Sequence, residues 1–179
     1  DDAVNYGGIG AVIGHEVGHG FDDQGSQFDG AGNLRMWWTE QDRAQFDALS
    51  QKLIEQFNQI ESPSAPGKFV NGALTVGENI GDLAGIGIGY AAYRIALGDQ
   101  PAPVLDGLTG DQRFFAGWAQ VWMGKSREET ATMLLAVDPH SPQEVRANAV
   151  RNFDEFHAAF DVQPGDGMWL APEDRVQIF

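Results

Sequence analysis

Two apolar stretches, residues 9–20 and 74–97, are dotted with glycine, and this limits the folds open to the chain. Both read as buried helix from their length and near-continuous apolar character. Each glycine inside a helix costs about 1 kcal/mol relative to alanine. The first stretch places Gly10, Ala11, Gly14 and Gly18 along itself, small residues that allow close packing. So many glycines require compensation, from tight packing or from a site built there. The second stretch is the most apolar part of the chain, yet it carries Asp82 and Arg94, which argues for a packed helix and against a membrane span.

The remaining segments also read as mainly α. Thr39 followed by Asp42 resembles a capping box, with Phe46, Leu49, Leu53, Ile54 and Phe57 at helical spacing behind it. Residues 61–68, "ESPSAPGK", break into a loop. Further helices are expected over 111–123, 126–135 and 151–160, with Gly98 ending the long apolar one. Ser141-Pro142 reads as an N-cap and first-turn pair. "LRMWW" is the best strand candidate, and Trp37, Trp38, Trp118 and the phenylalanines are expected in the core. At 179 residues, the length suits one domain.

The net charge of −15 would repel nucleic acid phosphates and anionic lipid headgroups, so no nucleic-acid partner is expected. With no cysteine, disulfides and thiolate metal sites are excluded, and any metal must be held by nitrogen and oxygen. The first residues carry no basic and apolar leader pattern. The helical pattern starts almost at once, as in a piece of something longer.

The first glycine-rich stretch contains His15, Glu16 and His19, a His-Glu-x-x-His pattern. Residues four apart share a helix face, so both imidazoles can reach one zinc. Glu16 can take a proton from a water that zinc has acidified. Such a site needs a third protein ligand. "TVGENIGDLAG" offers one: Glu78 and Asp82 are also four apart, and two acids on an apolar helix are costly to bury unless partnered. Glu78 can complete the ligand set. Asp82 can accept the free ring N–H of one ligand histidine, and Asp22 that of the other. The plainer alternative has Glu78 and Asp82 facing solvent or pairing with Arg94 or Arg113.

"VIGHEVGHGFDD", "VNGALTVGENIGDLAG" and "DPHSPQEVRANAVRN", in this order, resemble three motifs of the neprilysin family of zinc metallopeptidases. The resemblance runs from "NYGGIG" to about Phe160. It implies a thermolysin-like zincin catalytic domain, helical with little β structure, and one zinc ion held by His15, His19 and Glu78. It implies that Glu16 is the general base, that Asp82 and Asp22 support the ligands, and that His140 stabilises the oxyanion. Arg146 would bind a substrate backbone carbonyl, and Val12, Val121 and Trp122 would line an apolar pocket for the residue after the cut.

The implied function is zinc-dependent endopeptidase action on oligopeptides, before apolar residues. The alternative is a non-catalytic, zinc-stabilised peptide-binding or assembly module; a metal-free helical domain would make Glu78 and Asp82 coincidental. Family members are much longer and carry an Asn-Ala-aromatic motif upstream of the zinc helix, which is absent here. Residues 1–179 are therefore expected to be the C-terminal catalytic portion of a bacterial member, weakly active or inactive alone. The N-terminal part would be a partner, and without it an exposed apolar patch and self-association are expected. The family's habit places the protein outside the cytoplasm.

Overall fold

The computed structural model describes residues 1–179. It is mainly helical, with no sheet; the β pairing is confined to isolated bridges at Phe28–Leu34, Glu61–Phe69 and Leu105–Leu108. The chain enters helix earlier than its apolar pattern indicates. A short α1 (Asp2–Asn5), capped by Asp1, runs through a π-helical turn (Tyr6–Gly10) into α2 (Ala11–Gly18). Gly7 lies in that turn because a Cβ there would stand 1.9 Å from the carbonyl oxygen of Phe114. His19 closes α2 and opens a single 3-10 turn, His19–Phe21.

Helix α3 (Glu40–Asn58) starts at Thr39, whose hydroxyl accepts the backbone N–H of Asp42. The hydroxyl proton goes to the Asp42 carboxylate, so the reciprocal bond of a true capping box is missing. Helix α4 (Gly72–Leu97), capped by Asn71 and ended by Gly98 in a positive-φ conformation, is the central element. Helix α5 (Gly110–Val121) has the full capping box, made by Thr109 and Gln112. The remaining helices are α6 (Glu128–Val137), α7 (Gln143–Ala147) and α8 (Asp154–Phe160).

Helices α2 and α3 both pack on α4, and α5 joins the N-terminal turns to α8. The core is one cluster including Ile80, Leu83, Ile86 and Tyr93 of α4, Leu53 and Phe57 of α3, Phe114, Phe115 and Trp118 of α5, and Phe156 of α8. No helix is long and apolar enough to cross a membrane.

Some expectations need correction. "LRMWW" is not a strand: beyond the Phe28–Leu34 bridge no neighbour offers a ladder, and the Trp37 and Trp38 indoles both donate to the Ser26 carbonyl oxygen. Trp37 is 41% exposed and outside the core. Ser141 does not cap α7. Pro142 occupies the cap position, and the Ser141 hydroxyl donates instead to Oδ1 of Asn79 on α4. Arg94 and Arg113 pair with Asp111 and Asp1, leaving Glu78 and Asp82 to other partners.

Candidate active site

The crossing of α2 and α4 explains the glycines. A Cβ at Gly14 would lie 3.0 Å from the Cα of Gly85, and one at Gly18 would lie 2.8 Å from the Cβ of Ala84. A Cβ at Gly85 would sit 2.3 Å from the Ala11 carbonyl oxygen, and one at Gly81 would sit 2.8 Å from the His15 ring. The helices therefore meet backbone to backbone, and the His15 imidazole fills the place where a side chain at position 81 would stand. This close approach brings residues 15 and 19 within reach of residues 78 and 82.

The histidine rings are oriented by their Nδ1 atoms. His15 Nδ1 bonds Asp82 Oδ1 at 2.9 Å, and His19 Nδ1 bonds Asp22 Oδ2 at 2.7 Å. Asp22 is fixed in turn, its Oδ1 accepting the N–H groups of Gln24 (2.8 Å) and Gly25 (2.7 Å). Both Nε2 atoms are left facing Glu78, at 3.2 Å from His15 to Oε2 and 3.6 Å from His19 to Oε1. Ligand atoms of the three residues all lie within 4.8 Å of one another. Bonds of about 2.0–2.1 Å to a tetrahedral ion place ligand atoms roughly 3.3 Å apart, so the spacing suits a zinc-sized cation.

A second observation fits such an ion. Glu78 Oε2 is buried and has no hydrogen-bond partner. The Nε2 atoms of His15 and His140 each come within 3.2 Å of it, close enough for ion pairing but misaligned for hydrogen bonding. A buried carboxylate oxygen that accepts no hydrogen bond is costly, and a cation would give it a direct partner. The electrostatics agree. Burial alone would favour a neutral His15, but the Asp82 and Glu78 carboxylates beside it outweigh this and raise its pKa to about 9. Burial would raise the Glu78 pKa, yet the surrounding histidines hold it below the usual carboxylate value.

Around this centre, Asp82 is 1% exposed and accepts a two-pronged bond from Arg146, at 2.9 Å from Nε and 2.7 Å from Nη2. The Arg146 guanidinium stacks on Trp122, 3.9 Å from the ring centre. His140, on the loop between α6 and α7, bonds Asp138 through Nδ1 at 2.8 Å, and Asp138 also accepts the His140 backbone N–H. Asp138 escaped the sequence reading, although an aspartate two residues before a histidine in a Pro-containing turn was a usable signal. Glu16 is exposed, on the open side of α2.

A cavity of about 120 Å³ lies between Val12, Glu16, Trp118, Trp122, His140 and Arg146, and a second of about 300 Å³ shares Trp122, His140 and Arg146 and continues past Leu134 and Leu135. Val121 lies outside both: it is 42% exposed, beside Gly8. An apolar groove of about 580 Å³ includes Val17, Phe21, Ile88 and Phe179. Next to Val17 on the same helical stripe, Ile9 and Ile13 are exposed.

Comparison with known proteins agrees with this geometry. The pattern of peptidase family M13 matches residues 1–176. Neprilysin-1 of Caenorhabditis elegans is 48% identical over 172 residues, covering 93% of this chain and 23% of that protein. A neutral endopeptidase of Lactobacillus helveticus is 43% identical over 177 residues, covering 98% of this chain and 25% of that protein. A crystal structure of a zinc metalloprotease of Mycobacterium tuberculosis with an inhibitor superposes with a TM-score of 0.96 at 56% identity, covering 99% of this chain and 28% of that one. The chain thus spans about a quarter of the length of these relatives. With the family pattern matched almost from end to end, the chain belongs to peptidase family M13, the neprilysin family.

Proposed function

We propose that residues 1–179 are the C-terminal catalytic portion of a zinc-dependent endopeptidase that cleaves oligopeptides before apolar residues, with His15, His19 and Glu78 as the zinc ligands. The observation that carries this reading is the convergence of two Nε2 atoms on the Glu78 carboxylate, whose buried Oε2 accepts no hydrogen bond, both rings being fixed from behind by carboxylates. When bound, zinc supplies Lewis-acid activation of water and of the scissile carbonyl.

The chain's own groups do the rest. Glu16 takes the proton of the attacking water and passes it to the leaving amine. His140, its Nδ1 held by Asp138, directs Nε2 toward the site and donates to the carbonyl oxygen as negative charge develops there. Asp82 holds Arg146 by Nε and Nη2, which leaves donors of the fork free for a substrate carbonyl. Val12 and Trp122, at the small cavity, give the apolar wall for the side chain after the cut. Val121, exposed beside Gly8, stands outside this wall.

The apolar stripe of Ile9, Ile13 and Val17 is the surface against which an N-terminal portion would pack, and exposed alone it would favour self-association. A monomer at every concentration in size-exclusion chromatography would count against that. We also place the protein outside the cytoplasm, testable by cell fractionation. For the catalytic reading, Glu16→Gln in the full-length protein should abolish peptide hydrolysis while zinc stays bound. Retained turnover would remove Glu16 as the base.

A further inference from the structure

His140 sits on a five-residue loop, 138–142, without regular secondary structure. Its ring is about half exposed, and its partner Asp138 belongs to the same loop, so their bond cannot fix the loop against the rest of the molecule. The only fully buried residue of the loop is Ser141, 3% exposed. Its hydroxyl donates to Oδ1 of Asn79 at 2.7 Å, and Asn79 is 1% exposed. Asn79 Nδ2 donates to Thr75 Oγ1 at 3.0 Å, and Thr75 donates to the Asn71 carbonyl oxygen at 3.2 Å. A line of polar groups thus runs along the buried side of α4 from its capped N-terminus and ends on the loop, one residue from His140.

An amide in the middle of an apolar helix is unfavourable unless its donor and acceptor both have partners. Asn79 meets this condition only through Ser141 on one side and Thr75 on the other. It is also the residue next to Glu78. The bond therefore ties the backbone that carries His140 to the backbone that carries Glu78, from the wall of the larger cavity, where Ser141 also sits.

We propose that Asn79 and Ser141 are positioning residues: their buried hydrogen bond sets the place of His140 relative to Glu78, and through it the stabilisation of charge on the reacting carbonyl. This rests on the oxyanion role assigned to His140 above. Ser141 adds no apolar area, so removing its hydroxyl opens no core cavity and costs stability only through the acceptor it leaves unpartnered on Asn79. Its removal should loosen the loop and leave the ligand set intact.

The test is a double-mutant cycle in the full-length protein, with hydrogen exchange as a readout independent of activity. Ser141→Ala should keep a full complement of zinc and an unchanged KM. Its kcat should fall roughly tenfold, the rate equivalent of one buried hydrogen bond. In a His140→Ala background the same change should have almost no further effect on kcat, because the group it positions is gone. Backbone exchange over 138–142 should accelerate severalfold while Gly72–Leu97 stays protected.

Equal losses of kcat in both backgrounds, an unchanged kcat in Ser141→Ala, or loss of zinc would each overturn the proposal. If His140→Ala alone turns over like wild type, the oxyanion reading fails separately. Positioning by the bond is then decided by exchange: faster exchange over 138–142 supports it, and unchanged exchange overturns it.

Discussion

Replacing Gly85 by alanine tests how the site is built, because simple helix propensity predicts the opposite sign. In an unconstrained helix the change stabilises by about 1 kcal/mol. Here the added methyl would lie 2.3 Å from the Ala11 carbonyl oxygen, 2.8 Å from the His15 nitrogen and 3.0 Å from the His15 Cβ. A carbon–oxygen contact needs roughly 3.3–3.6 Å, so α2 and α4 must part by about 1 Å. Overpacking of this kind costs about 1–3 kcal/mol and can exceed that. Because backbone atoms must move here, the upper part of that range applies, about 2–3 kcal/mol; subtracting the propensity gain leaves a net loss of roughly 1–2 kcal/mol, or about 2–8 °C in Tm for a domain of this size.

The parting also moves His15 away from Glu78, and a misplacement near 1 Å can reduce turnover on the order of a hundredfold. Gly87, two residues along the same helix, is the control. A Cβ there meets only Phe153 Cε1, at an ordinary 3.6 Å. Gly87→Ala should therefore stabilise by about 0.5–1 kcal/mol with zinc content unchanged. Thermal unfolding followed by circular dichroism, with zinc measured on the same samples, reads both variants. A Gly85→Ala protein as stable and as zinc-loaded as wild type, or a Gly87→Ala protein equally damaged, would refute the backbone-to-backbone crossing as the reason for the glycines.

Asp82→Ala leaves the Arg146 charge buried without its partner and His15 without its Nδ1 acceptor. Stability should fall by about 3–5 kcal/mol in denaturant titration and zinc affinity by about 10–100-fold in chelator competition; a loss of neither would show that Asp82 is dispensable. In chelator-treated protein His15 holds a proton up to about pH 9, above its ordinary value of 6.5. Its pairing with Asp82 and Glu78 then stabilises the metal-free fold fully below pH 6.5, and this contribution is lost as pH rises toward 9. Zinc must displace that proton, so over the same window zinc affinity should rise about tenfold per pH unit and level off above it. A flat profile from pH 6.5 to 9 would contradict the arrangement.

The centre of the site was legible in the sequence because its chemistry is local. His15 and His19, and Glu78 and Asp82, are each four apart on apolar helices, and helix geometry alone puts each pair on one face. The glycines signalled close packing, but only the structure shows what they approach. Less legible were groups whose partners depend on tertiary placement. Ser141 before a proline has the pattern of a cap, yet a buried amide 62 positions away competes successfully for its hydroxyl. The tryptophans of "LRMWW" have strand propensity but no neighbour to pair with, and their indoles turn to a loop carbonyl. The π turn at Tyr6–Gly10 follows from contact with α5, which no local pattern encodes.

On this reading two histidines and Glu78 hold one zinc ion at the crossing of α2 and α4. The most direct test is the metal content of protein purified without chelator, by plasma mass spectrometry, for wild type and Glu78→Ala. Wild type should carry about one zinc per chain and the variant little or none, since two imidazoles alone do not complete the set. Wild type that stays empty after zinc is added, or Glu78→Ala that binds zinc as tightly as wild type, would contradict it.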